Sequence, residues 1–167
     1  LFVLEIIVLL LFIGGLYVYG QISSRLDKIE QPELKKEKIV VNQEAPKMTG
    51  YKTYVLFGID TRGEGSQYSA QNSDTMIIVS VNNDTKEVRM VSVYRDTLLN
   101  VGDDTYTKAN AAYALGGPEQ AITMLNTNLD LDISDYATAD FSALVEVVDD
   151  LGGLDIPLSY AEIEHMN

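Results

Sequence analysis

Three apolar runs of strand length, Tyr54–Ile59, Thr75–Val81 and Val88–Val93, each meet charge at one end. Asp60 closes the first, Asp74 opens the second, and Arg95-Asp96 follows the third after Tyr94. Strand ends are where a sheet protein presents chemistry, because side chains there leave the packed layer yet stay rigidly held. Two carboxylates, Asp60 and Asp74, and two guanidiniums, Arg62 and Arg95, gathered on one edge suit a divalent metal holding a phosphate or pyrophosphate.

The rest of the chain supplies helices to cover such a sheet. The first strand, Lys52–Ile59, is almost continuously apolar, as in a sheet covered on both faces. Asn83, Asp84 and Thr85 are turn residues that join the next two strands as a hairpin. Lys108–Leu115 reads as a helix ending at Gly116-Gly117, where a left-handed cap is needed. Pro118 then sits in a new first turn, and Glu119–Asn128 carries Ala121, Ile122, Leu125 and Leu129 on one face. Tyr113, Leu115, Leu125 and Leu144 are expected to pack on the sheet. Tyr136–Ala139 reads as a strand, Ser142–Leu151 as a helix with Leu144, Val145 and Val148 inward, and Leu154–Leu158 as the start of another strand. Thr61–Ser73 is a polar, glycine-bearing loop expected to close over the charged edge. The fold class is α/β, a layered α-β-α arrangement about a central mixed sheet.

Residues 1–20 stand apart. Leu1–Tyr19 is apolar except for Glu5, and as a helix it spans about 28 Å, the thickness of a bilayer's hydrocarbon core. It lacks the short apolar region and small-residue cleavage site of a secretory signal, so it reads as a transmembrane signal anchor. Residues 21–50, with Pro32 and Pro46, read as a polar linker, with a short helix over Ser24–Glu37 broken near Pro32. Residues 51–167 form the domain. Six basic and five acidic residues occupy the linker, whereas the domain holds six basic and nineteen acidic and so carries the whole net charge of −13. Such a surface repels nucleic acid, and six dispersed cations make no basic patch. The absence of cysteine excludes disulfides, thiolate metal sites and cysteine nucleophiles.

Six motifs occur in order: Asp60-Thr-Arg-Gly, Asn72-Ser-Asp74-Thr-Met, Tyr94-Arg95-Asp96, Lys108-Ala-Asn110-Ala-Ala-Tyr113, Gly116-Gly117 and Val148-Asp149-Asp150-Leu-Gly152-Gly153. Together they resemble the LytR-CpsA-Psr family of cell-wall glycopolymer ligases, from about Tyr51 to the last residue, and the wording is most like members from Gram-positive bacteria of the clostridial kind. The resemblance implies a magnesium-dependent phosphotransferase, with manganese as the alternative ion. It would move a teichoic acid, capsule or other wall polysaccharide from an undecaprenyl-pyrophosphate carrier to a peptidoglycan hydroxyl. It also implies a domain outside the cytoplasm, although Arg25, Lys28, Lys35, Lys36 and Lys38 after the apolar run would by the positive-inside rule lie within it. The family's domain is longer, with a second arginine group downstream, so the expectation is a chain truncated at both ends and inactive alone.

The resemblance gives each residue a role beside its plainer one. Asp60 and Asp74 match the metal-binding aspartates; otherwise they cap the loop between them. Magnesium keeps several waters, so two carboxylates plus phosphate oxygens suffice. Arg62 and Arg95 match phosphate ligands that neutralise the leaving group, a guanidinium forking onto two oxygens. Asp96 either orients Arg95 or serves as the base on the acceptor hydroxyl. Lys108 reaches a phosphate, and Asn110 holds either the pyrophosphate or the helix start. Two positions depart from the family pattern: many members have arginine at Asn72 and proline at Tyr94. Gly63 and Gly65 lack the spacing of a phosphate-cradling loop, Asp149-Asp150 ends a helix, and no triad can be built on His165. Two rival readings stand beside the ligase: a membrane-bound transcription attenuator and a non-catalytic polyprenyl-phosphate binding module.

Overall fold

The computed structural model describes residues 2–27, 32, 34–42, 45–46, 49–60 and 72–166. The chain divides into two units, Leu1–Leu34 and Lys35–Asn167. Among its described residues the first contains one helix, α1 (Phe2–Leu26), whose segment Phe2–Ser24 is long and apolar enough to cross a membrane. The helix runs on through Arg25 into the segment expected to be linker, because no proline or glycine interrupts 21–26.

The second unit is built on a four-stranded mixed sheet in the order β3-β2-β1-β6. β1 (Tyr51–Ile59) and β2 (Ser73–Asn82) are antiparallel, as are β2 and β3 (Val88–Val93), whereas β6 (Asp135–Ala139) lies parallel to β1. Parallel pairing requires a long crossover. Here it passes through a small second sheet, β4 (Leu98–Asn100) with β5 (Tyr106–Lys108), and then the long helix α2 (Ala111–Leu129). The antiparallel order brings the C-terminal ends of β1 and β3 and the N-terminal end of β2 to one edge of the sheet, so Asp60, Asp74 and Arg95 share that edge.

α2 packs on one face. Val55, Phe57 and Ile59 of β1 alternate toward it and are buried, with Met76 and Ile78 of β2 beside them and Ala112, Tyr113, Ile122 and Leu125 of α2 above. The Phe57 and Tyr113 rings meet edge-on at 5.1 Å, and the Tyr113 and Thr138 hydroxyls are 3.1 Å apart. Within α2, Gly116 and Gly117 leave helical geometry, Gly117 at φ 70°, so two helices meet at the kink expected before Pro118. Asn126, fully buried, closes the α2–β6 connection: its amide donates to the Ile133 carbonyl (3.0 Å) and its carbonyl accepts from the Ile133 N–H (2.8 Å).

Several local expectations are corrected. The helix predicted from Lys108 starts at Ala111, because Lys108 is the last residue of β5. The β4–β5 hairpin replaces what reads as loop. Leu154–Leu158 forms no strand; irregular chain leads into α4 (Tyr160–Met166). Helix α3 (Phe141–Asp150) starts where Asp140 accepts a hydrogen bond from the Ala143 N–H at 2.8 Å. Its apolar stripe, expected to face inward, is exposed at Leu144 and Val145, as is Leu115 at the α2 kink, because no described residue packs over them.

Residues 35–42 do not hang free. A 3₁₀ turn at Lys36–Lys38 is fastened along α2. The Lys35 N–H donates to Glu119, the Val40 N–H donates to the Thr123 hydroxyl, and the Asn42 amide donates to Asp130 at 2.6 Å. Lys36 pairs with Asp135 (3.2 Å), which Lys52 also approaches at 3.7 Å. Burial opposes ionisation of Asp135, but hydrogen bonds from Lys36 and Ser134 outweigh it and hold its carboxyl below the ordinary range.

Candidate functional site

The charged edge depends on a break in strand register. Gly58 pairs with Thr75, but the next residue, Ile59, pairs with Ser73, so Asp74 is the extra residue of a β-bulge. Bulges re-aim side chains next to functional sites. Unbulged alternation would put Asp74 on the buried face with Met76; instead Ser73 is buried there beside Ile59, and Asp74 is exposed. Gly58 makes this possible, since a Cβ at that position would lie 2.9 Å from the Thr75 Cβ. The Ser73 hydroxyl, fully buried, has no hydrogen-bond partner among the described residues. Asp60 continues β1 directly past the bulge, so the two aspartates flank the same register shift.

Arg95 reaches Asp74 from the adjacent strand end. Tyr94–Thr97 is a tight turn closed by the Thr97 N–H donating to the Tyr94 carbonyl at 3.0 Å, with Arg95 and Asp96 at its corner. Arg95 Nη1 donates to Asp74 Oδ1 at 3.0 Å, and its Nε lies 3.7 Å from Asp96 Oδ2. Asp96 Oδ1 in turn pairs with Lys108 Nζ at 2.6 Å. Four alternating charges thus form one chain, Asp74–Arg95–Asp96–Lys108. The β4–β5 hairpin delivers the last of them: Leu98 pairs with Lys108, the Ala109 N–H donates to the Thr97 carbonyl, and the Asn110 N–H donates to the Arg95 carbonyl. Asn110 itself is buried and its side chain makes no helix-capping bond. The Lys108 hydrogen bond, with the charges of Lys108 and Arg95, holds the Asp96 carboxyl below the usual range, so Asp96 stays ionised at neutral pH.

A cleft of about 360 Å³ opens beside this chain, bounded by Asp74, Thr75, Ser92, Tyr94, Arg95 and Asp96. It lies at the strand ends, with Met76 and Val93 from the α2 side of the sheet also in its lining; away from α2, Thr75, Ile77 and Val79 alternate along β2 and Val88, Met90 and Ser92 along β3. That face is open: Leu56, Val88 and Met90 are all exposed, Met90 at 60%. The cleft, bordered by Thr75 and Ser92, therefore adjoins an apolar surface.

Asp74, Arg95, Asp96 and Lys108 come together as one cluster, with Asp60 and Asn110 bordering it. Arg62 and most of the loop Thr61–Ser73 lie outside the described residues. No group of three or more His, Cys, Asp or Glu side chains gathers to hold a metal among the described residues. The donor set is two carboxylates, which suits an ion that completes its shell with water and substrate phosphate rather than with protein. Ser92, Thr75 and Tyr94 are cleft residues missed in the sequence; only the strand alternation that puts Thr75 and Ser92 on one face could have signalled two of them.

A model of the LytR_cpsA_psr family matches residues 16–165. The Enterococcus faecalis protein named polyisoprenyl-teichoic acid–peptidoglycan teichoic acid transferase TagU is 31% identical over 157 residues, which cover 90% of this chain and 50% of that one. The Streptococcus mutans biofilm regulatory protein A is 38% identical over 124 residues, 66% of this chain and 30% of that one. Among solved structures, the LytR-CPS2A-psr family protein YwtF (TagT), determined with bound octaprenyl pyrophosphate lipid, matches with a TM-score of 0.61 at 22% identity over 80% of this chain and 52% of that one. That likeness is one of fold. The chain spans about half the length of the TagU relatives it matches.

Proposed function

Because the chain belongs to the LytR_cpsA_psr family, we propose that it serves a membrane-anchored phosphotransferase acting on a polyprenyl-pyrophosphate-linked wall glycopolymer. The acceptor is a peptidoglycan hydroxyl. The observation that carries this reading is the cleft itself, which sets Arg95 between Asp74 and Asp96 and adjoins an exposed apolar sheet face. A ligand with a pyrophosphate head and a long apolar tail matches both halves. The TagU relatives are named for transfer of teichoic acid from a polyisoprenyl carrier to peptidoglycan, which supports the reaction class. An undecaprenyl carrier and a teichoic acid, capsule or related polymer are the substrates proposed.

In the transfer, the acceptor oxygen attacks the phosphorus that bears the glycan. A new P–O bond forms as the P–O bond to the polyprenyl phosphate breaks, and the acceptor hydroxyl gives up its proton. Arg95 would stabilise the charge that develops on the departing phosphate, its fork leaving Asp74 for phosphate oxygens. Lys108 adds a second cation within the same chain of charges. Asp96, hydrogen-bonded to Lys108 and already held ionised, is a poor proton acceptor and is assigned the holding of Arg95 and Lys108. Asp60 and Asp74 would hold a magnesium ion, with manganese as the alternative, which supplies Lewis-acid charge on the pyrophosphate. The apolar helix Phe2–Ser24 would anchor the domain to the bilayer that carries the lipid, with the domain outside the cytoplasm.

The test is mass spectrometry of lipid extracted with the purified full-length protein, for the parent, Asp60→Ala and Arg95→Ala. Polyprenyl phosphate or pyrophosphate in the parent and its loss in both variants is the expected result. No such lipid, even after adding magnesium and synthetic carrier, would overturn the reading. A regulatory role, suggested by the name of the S. mutans relative, would then gain weight, although the net charge of −13 disfavours direct contact with nucleic acid.

A further inference from the structure

We propose that residues 35–42 set the reach of the charged edge toward a membrane-borne substrate, by clasping α2 and moving the point where the connection from α1 enters the domain. The inference rests on the phosphotransfer reading and adds to it how the site meets a substrate held in a bilayer. Entry at β1 alone would come at the far end of the sheet. β1 starts at Tyr51 and ends beside Asp60, so the length of the strand, about 27 Å, separates its start from the charged edge. α2 runs the other way. The Asn110 N–H just before it donates to the Arg95 carbonyl at the charged edge, while its last turns meet the start of β6 through Asn126 and Ile133. The strap follows α2 in chain direction, with Lys35 at Glu119, Val40 at Thr123 and Asn42 at Asp130. Along the helix axis Glu119 lies roughly 16 Å nearer the charged edge than Asp130. The strap therefore carries the entry point toward the site.

Polar and apolar contacts both hold the strap. Ile39 and Val41 are half-buried while Val40 between them is exposed, the alternation of an extended segment lying on a surface. Lys36 adds its pair with Asp135 at the start of β6. The folded unit accordingly begins at Lys35 and not at Tyr51. From the end of α1 at Leu26 to Lys35 the chain can span at most about 30 Å. With entry at Tyr51 that limit would rise to roughly 85 Å. A pyrophosphate borne by a bilayer is met at a fixed height, so a shorter connection raises its effective concentration at the site. Effective concentration falls roughly as the −3/2 power of connection length, and an about threefold shortening is then worth about fivefold.

The test uses the full-length protein in proteoliposomes, with the strap released by Lys36→Ala, Ile39→Ser, Asn42→Ala and Thr123→Val together. A second variant keeps the strap and carries a Gly/Ser insertion of about 16 residues after Leu34, which lengthens the connection without touching α2. The chain has no cysteine, so Leu98→Cys, exposed on β4 opposite Lys108, takes a single donor dye for energy transfer to acceptor lipids. Both variants should show weaker energy transfer than the parent. Both should turn over a polyprenyl-pyrophosphate-linked glycan in the vesicle about fivefold more slowly. A water-soluble short-prenyl analogue, assayed in detergent, should react at the parent's rate in both. An equal loss of rate on the soluble and the vesicle substrate in the released variant would make the strap a structural brace and overturn the inference, as would unchanged energy transfer. No turnover of either substrate by the parent overturns the phosphotransfer reading instead, and energy transfer then still decides whether the strap sets the distance. Thermal unfolding checks that the released variant is folded; where it is not, the insertion variant decides by the same two readouts.

Discussion

Arg95 Nη1 sits 3.0 Å from Asp74 Oδ1, joining the turn after β3 to the bulged residue of β2. Both side chains are about half exposed, and an exposed ion pair contributes only about 0–1 kcal/mol to stability. The pair is therefore poor as a fold determinant and well suited to be traded for a ligand. Arg95→Ala should leave the melting temperature almost unchanged while lowering glycopolymer transfer by roughly 10²–10³-fold. Arg95→Lys, which keeps the charge and loses the fork, should fall between. A transfer assay run beside thermal unfolding separates the two effects.

Gly58→Ala should destabilise the domain by about 1–3 kcal/mol, because the new methyl group would lie 2.9 Å from the Thr75 Cβ. The same change presses on the bulge and should weaken ligand binding as well. Urea unfolding and lipid co-purification read the two consequences.

Ser73→Ala should be neutral or stabilising by up to about 1 kcal/mol, since a buried hydroxyl without a partner among the described residues costs about that much to keep. The urea midpoint decides. A clear loss of stability would mean that the hydroxyl has a partner after all.

Asn126→Ala should cost about 3 kcal/mol, as it strands the buried N–H and carbonyl of Ile133 that the amide now satisfies. Chemical denaturation with an unchanged slope would show a stability effect rather than a change in compactness.

Acid should weaken the fold partly through Asp135. Its folded carboxyl is held below its unfolded value, so its contribution is present above the ordinary carboxylate range and disappears as pH falls through the folded value. Asp135→Asn should be less stable than the parent at pH 7, and the difference should shrink as pH is lowered toward about 3. Unfolding curves at several pH values would detect this.

Much of the architecture was legible because long signals are robust. Tyr54–Ile59 and the hairpin around Asn83–Thr85 announce themselves by apolar runs and turn residues, and the Gly116-Gly117-Pro118 sequence announces the kink in α2. What escaped is short. β4 and β5 have three residues each, and their connection passes through Gly102, Asp103 and Asp104 at positive φ, which reads as loop. Without that hairpin, Lys108 reads as the start of a helix; on β5 it meets Asp96. The bulge was equally hidden, since one extra residue leaves no periodic trace; the aspartates could be paired by position in sequence, but not the way Asp74 is aimed. The exposed stripe of α3 shows the reverse error: amphipathicity reveals that a face is apolar, not which element covers it.

The fastening of residues 35–42 to α2 bears on where a soluble version of this protein should start. A chain cut at Tyr51, where β1 begins, would strip Glu119, Thr123 and Asp130 of these partners and, among the described residues, leave Asp135 with Lys52 as its single cation. The rational boundary lies at or before Lys35. What looks in sequence like tether is, for at least eight residues, the outermost layer of the folded body.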